Sequence, residues 1–127
     1  MRSFFKRLLK SGVGQLGYEL SKKKSLDRVD SKVVSLLPDN APKGVVLLGF
    51  IIEPFLLEKG ETISNAHTHD WESVQMAQTF LDLGYAVDVI SYRNAEFIPQ
   101  KAYAFFVAAR TNFARIAQYL NDDCVKI

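Results

Sequence analysis

A single cysteine, Cys124, stands in 127 residues, which excludes an intramolecular disulfide and fits a reducing compartment. Long apolar runs are missing too. The best candidate, Gly44 to Leu57, is broken by Glu53 and Pro54 and falls short of the roughly 20 residues needed to cross a bilayer. The first ten residues are too charged and their apolar stretch too short for a secretory signal. The chain therefore reads as cytoplasmic. With two histidines and one thiol, a closed structural zinc site is improbable. There is no Gly-x-Ser-x-Gly elbow of a serine hydrolase, and no Gly-x-Gly-x-x-Gly fingerprint follows the first apolar strand. Gly12, Gly14 and Gly17 imitate that spacing without a strand before them. Lys22, Lys23 and Lys24 lack the interleaved aromatics of a nucleic-acid surface, so no nucleic-acid partner is expected.

What is present describes an ordinary folding chain of one-domain length, 48% hydrophobic and 24% charged. Its net charge of +2 hides an asymmetry. Residues 1–40 hold nine Lys/Arg against four Asp/Glu, and residues 41–127 hold seven against ten. At helical spacing, Phe4, Phe5, Leu8 and Leu9 separate from Arg2, Lys6, Arg7 and Lys10, giving an apolar and a basic face. Such a segment either packs on the body of the protein or lies on an anionic membrane. The second option extends to residues 1–24 and would place the chain at the inner face of the membrane.

Turn formers cluster at Pro38, Asp39, Asn40 and Pro42. Residues 1–42 are therefore expected to be a basic helical appendage, with the domain core starting near Lys43. Gly44 to Phe50 is a continuous Val- and Leu-rich run, the pattern of a strand buried on both faces of a parallel sheet. A loop from Ile51 to Asp70 follows. Val74, Ala77 and Leu81 then recur with a helical period over Trp71 to Leu83, and Gly84 is a stop signal. Ala86 to Tyr92 reads as a second strand, Arg93 to Gln100 as a loop and Tyr103 to Ala109 as a third strand. Thr111 to Leu120 reads as a helix and Cys124 to Ile127 as the start of a fourth strand. This alternation predicts an α/β fold with a doubly wound parallel sheet. Ending on an apolar strand, the chain is expected to be truncated at its carboxyl end.

Ligands of open α/β sheets bind beyond the carboxyl ends of the strands. Asn65, His67, His69, Asp70 and Glu72 fall in the loop and helix start after the first strand, where helix N–H groups favour anions. They can contact a ligand or cap the helix. The His67-x-His69 pair invites a metal, but it stands some fifteen residues beyond the strand end and no second His/Cys cluster completes it; no metal or cofactor is expected. Arg93 and Asn94 follow the second strand, and Arg110, Thr111 and Asn112 follow the third. An arginine there can grip phosphate or carboxylate, or pair with a nearby acid. Trp71 can stack on a sugar or pack in the core.

The stretch Phe80-Leu-Asp-Leu-Gly-Tyr-Ala-Val-Asp-Val-Ile90, following Asn65-Ala-His-Thr-His69, resembles the first helix and second strand of GT-B glycosyltransferases of the GT4 class. The resemblance spans about residues 43–127. It implies a Rossmann-like fold and an amino-terminal, acceptor-side part of an enzyme that moves a sugar from a nucleotide-sugar donor to a glycan or lipid acceptor, without an obligatory metal. By that resemblance His67 and His69 would orient an acceptor hydroxyl or touch donor phosphate. Asn65, Arg93, Asn94, Arg110, Thr111 and Asn112 would bind substrate. The family's Gly-Gly entry to the helix is replaced here by Ala66 and His67, and the donor-binding domain has no counterpart, so the chain is expected to be inactive alone. The alternative is a free-standing flavodoxin-like binding or interaction module.

Overall fold

A computed structural model describes residues 29–63 and 68–127. The basic amphipathic segment expected over residues 1–24 and the Asn65 to His67 part of the polar loop lie outside the described residues.

Five strands form one mixed sheet: β1 (Val33–Leu36), β2 (Val45–Phe50), β3 (Ala86–Ser91), β4 (Phe105–Ala108) and β5 (Val125–Lys126), in the spatial order β1-β3-β2-β4-β5. Strands β3, β2, β4 and β5 run parallel, and β1 pairs antiparallel with β3, Ser35 opposite Asp88. Burial follows position. All six residues of β3 are buried, whereas edge strand β1 alternates exposed and buried, as expected for a strand with one face on a core and one toward water.

Two helices cover opposite faces. Helix α1 (Thr68–Asp82) returns the chain from β2 to β3, and α2 (Arg110–Ala117) from β4 to β5. Val74, Ala77 and Leu81 of α1 pack with Val46, Leu48, Val87, Val89, Val34 and Leu36. Leu47, Ile90 and Phe106, the intervening strand residues, pack instead with Ile116 of α2. Because successive side chains of a strand point to opposite faces, the two cores lie on the two sides of the sheet. Phe113 of α2 stacks on Phe106, with ring centroids 5.3 Å apart.

Helix α1 ends where the sequence places its stop. Gly84 has φ +96°, a conformation costly for residues with a Cβ. Its N–H bonds Leu81 O, and the Tyr85 N–H bonds Phe80 O, each at 3.0 Å. The Phe80 and Tyr85 rings meet edge to face, the apolar contact that accompanies this helix end.

The connection from β3 to β4, residues 92–104, contains no helix. It is a strap fixed by side chains at both ends. Asn94 Oδ1 accepts the N–H groups of Glu96 and Phe97, while Arg115 donates to the carbonyls of Phe97 and Asn94. At the far end Asn121 exchanges two hydrogen bonds with the Tyr103 backbone. In the middle of the sheet the buried Asp88 accepts from Ser35 Oγ at 2.8 Å, Tyr103 Oη at 2.7 Å and Lys101 Nζ at 3.1 Å.

Three expectations are corrected. The sheet is mixed rather than purely parallel, because β1 runs against its neighbour. That strand falls inside residues 1–42, so part of the segment read as an appendage belongs to the sheet, ahead of the core start placed near Lys43. The loop after β2 is shorter than Ile51 to Asp70: a 3-10 turn spans Glu53–Leu56, burying Pro54 and Phe55, and α1 begins at Thr68.

Candidate functional site

Parallel pairing brings the carboxyl ends of β2, β3 and β4 to one edge. Tyr92 N–H bonds Phe50 O at 2.8 Å and Ala109 N–H bonds Gly49 O at 3.1 Å, so the turns after the three strands are adjacent. The chain leaves β2 toward α1 on one face and β4 toward α2 on the other. Between them, beyond the ends of β2 and β4, lies the position where open α/β sheets form a crevice. Small residues line it. A Cβ at Gly49 would sit 3.3 Å from the Ala108 Cβ, tighter than ordinary packing, and the approach of β4 depends on glycine at this point.

His69 stands in the first turn of α1, beside the end of β2. Its ring meets Phe50 edge to face, with centroids 5.9 Å apart, and its Nδ1 lies 3.1 Å from Glu72 Oε2. The ring remains largely exposed. Ser73, fully buried, donates to Ile51 O at 2.7 Å and ties this end of α1 to the segment leaving β2. Arg110 and Thr111 are exposed in the first turn of α2. No side chain caps that helix at Ala109, so its first N–H groups are open to an acceptor. His69 and Arg110 thus stand exposed in the first turns of the two helices that follow β2 and β4.

The other candidates are engaged within the fold. Arg93 donates from Nε to Asp30 Oδ1 at 3.1 Å, from Nη2 to Glu53 Oε1 at 2.8 Å and from Nη1 to Tyr92 Oη at 2.9 Å. The guanidinium carbon also lies 4.8 Å from the Tyr92 ring centroid. The hydrogen bond it donates to Asp30 holds the Arg93 pKa above its ordinary value, against a smaller opposing effect of burial. An anion reaching Arg93 must compete with two carboxylates. Asn112 is buried, and its Nδ2 donates to Tyr92 O at 3.0 Å and Asn94 O at 2.6 Å. Asn94 is buried and caps the strap. These three side chains build the edge instead of presenting donors to it. Asn65 and His67 fall outside the described residues.

Asp30, Glu53, Ser91 and Arg115 were not singled out from the sequence, yet they organise this edge. Ser91 Oγ donates to Asp30 Oδ1 and accepts the Arg93 N–H. No local signal reveals Asp30, which meets Arg93 across 63 positions. Among the described residues, no group of three or more His, Cys, Asp or Glu side chains is placed to hold a metal ion, and no helix is long and apolar enough to cross a membrane.

Compared with known proteins, the chain matches no family model, no curated protein and no solved structure.

Proposed function

We propose that the chain is the acceptor-side α/β unit of a sugar transferase that takes its sugar from a nucleotide donor, with acceptor held at the carboxyl edge between β2 and β4. The observation that supports this reading best is the junction itself: helices leave β2 and β4 toward opposite faces, and exposed His69 and Arg110 stand on the two sides. Arg110, with the uncapped start of α2, supplies cationic and N–H donors suited to an acceptor phosphate or carboxylate. His69 supplies a ring nitrogen for an acceptor hydroxyl. The Gly-Tyr-x-Val-x-Val pattern of residues 84–89 adds the family resemblance and with it a Rossmann-like origin for the sheet.

Counted alone, the parallel strands have the order second-first-third-fourth, which is the flavodoxin-like arrangement. That order favours a second reading, a binding module that uses the same edge without a transferase partner domain.

Amide chemical shifts of the labelled chain, titrated with sugar phosphates and neutral oligosaccharides, test the shared site. Changes should concentrate at residues 49–51, 68–70 and 108–111, with Arg110→Ala abolishing the response to sugar phosphates. Changes confined to other surfaces would refute the site. A response to flavin or nucleotide alone would select the binding-module reading.

A further inference from the structure

Helix α1 covers only part of its side of the sheet. Its buried stripe packs on β1, β3 and β2. The side turned toward β4 continues in Met76, Phe80 and Leu83, at the i, i+4, i+7 spacing of one helix face. Phe80 reaches Phe105 of β4, with ring centroids 5.6 Å apart. Phe105 is in register with Val125 of β5, so Val125 and, by alternation, Ile127 lie on this same face of the sheet. Helix α2 packs on the other face, and no described helix lies over β4 and β5 on this one. Leu83 is 54% exposed, Val125 50% and Ile127 62%. Among the described residues these side chains form an open apolar lane, two strands wide, between α1 and the edge of the sheet.

Two features decide what fits there. The outer edge of β5 is guarded, because the Val125 and Ile127 N–H groups bond inward to Ala104 O and Phe106 O, and Lys126 Nζ folds back onto Cys124 O at 3.1 Å. A strand added along that edge would meet a lysine and an occupied carbonyl. At the amino end of the lane, the two borders carry opposite charge. Exposed Lys43, whose stem runs beside Gly84, stands on the α1 border. Exposed Asp122 and Asp123 precede β5 on the other.

We infer that the lane is a self-association face on which a second copy docks face to face, about a two-fold axis running along the strands. Under that rotation the α1 border of one copy meets the β5 border of the other, and the amino ends of the strands stay together. The Met76, Phe80 and Leu83 stripe of each copy packs on Val125 and Ile127 of the other, with the two lanes at the roughly 10 Å spacing of stacked sheets. Lys43 of each copy meets Asp122 and Asp123 of the other, twice by symmetry. A copy turned end for end would separate these charges. Three large side chains exposed by half or more amount to the few hundred Å² that mark an interaction surface. That is less than the roughly 800 Å² each partner of a stable complex buries, so the dimer is weak and reversible. The axis turns both carboxyl edges the same way, which places both His69 and Arg110 edges on one side of the assembly. The inference stands apart from the transferase reading.

Sedimentation equilibrium of the full chain, from about 10 μM to 1 mM, should show a monomer passing reversibly to a dimer. Ile127→Lys should weaken the dimer about tenfold or more, and the milder Val125→Thr should weaken it less, with circular dichroism and melting of the dilute monomer unchanged. Lys43→Glu should weaken it severalfold, and adding Asp122→Lys and Asp123→Lys to that variant should restore it. A chain that stays monomeric, an Ile127→Lys chain that associates unchanged, or assembly that runs on past the dimer overturns the proposal. Failure of the charge exchange to restore association overturns the two-fold arrangement. A monomer whose amide signals at residues 76, 83, 125 and 127 move on adding a helical Leu/Lys peptide assigns the lane to a helix of another protein and refutes the second copy.

Discussion

The Tyr103 hydroxyl donates a 2.7 Å hydrogen bond to Asp88 Oδ2, joining the end of the strap to the buried strand β3. Burial and this carboxylate both push the Tyr103 pKa upward, burial most. Protonated Tyr103 is thus favoured by folding. Its contribution is fully present below the unfolded tyrosine value of about 10 and is lost as pH rises above it toward the higher folded value. Denaturant midpoints should fall above about pH 10, more steeply than in Tyr103→Phe. Phenolate absorbance should show Tyr103 titrating with the unfolding transition, a component that Tyr103→Phe removes.

Tyr103→Phe removes one hydrogen bond and leaves Asp88 with Ser35 and Lys101. The expected cost is about 1–2 kcal/mol. Asp88→Leu strands three donors and should cost more. A double-mutant cycle on Asp88→Asn and Tyr103→Phe should return a coupling of about 1 kcal/mol or above; additive effects would refute the direct link.

Asn112→Ala withdraws two donors from the Tyr92 and Asn94 carbonyls. It should lower stability by about 2–3 kcal/mol, seen as a lower urea midpoint with accelerated amide exchange in the strap. Arg110→Ala, at an exposed position, should change stability by no more than about 0.5 kcal/mol. If Arg110→Ala instead unfolds the chain, Arg110 is part of the scaffold and not of a binding edge.

Arg93→Ala should cost no more than about 1 kcal/mol, because its carboxylate partners are partly exposed and screened. Its local signature is sharper: amide exchange at residues 32 and 33 should accelerate while that of β2 and β4 holds. Lysine should not restore protection, since one ammonium cannot reproduce the fork toward Asp30, Glu53 and Tyr92.

Gly84→Ala should cost about 1–2 kcal/mol. The backbone there has φ +96° and an added Cβ would stand 3.1 Å from Lys43 Cε. Thermal melts of Gly84→Ala and Gly84→Asn measure it, with asparagine the milder change because it tolerates the left-handed region.

The parts legible in the sequence were those with a long or uninterrupted pattern. Val45–Phe50 is an unbroken apolar run, and the Val74, Ala77, Leu81 stripe with Gly84 behind it marked α1. The start of that helix was read three residues late, since Thr68, His69 and Asp70 have no apolar period. Strand β1 was invisible because Val33–Leu36 is only four residues long and lies between Lys32 and a turn-rich stretch. Its strand character comes from pairing with β3. For the site, strand order told which turns share an edge but not where their side chains go. Arg93, Asn94 and Asn112 were read as substrate-binding; the fold turns Arg93 onto two carboxylates and Asn112 onto two carbonyls, 18 or more residues away, while Asn94 Oδ1 accepts the nearby N–H groups of Glu96 and Phe97. His69 and Arg110 occupy the first turns of their helices and stay exposed, whereas Asn112 in the same turn as Arg110 is buried.

The pairing of β1 with β3 also orders events during synthesis. Ser35 leaves the ribosome 53 residues before Asp88, its partner across the strands. At about 5–20 residues per second, Val34 and Leu36 wait roughly 3–10 s for the strand that buries them. Strand β1 therefore cannot be placed until β3 arrives, and until then its apolar side and both of its backbone edges are open to other chains or to chaperones.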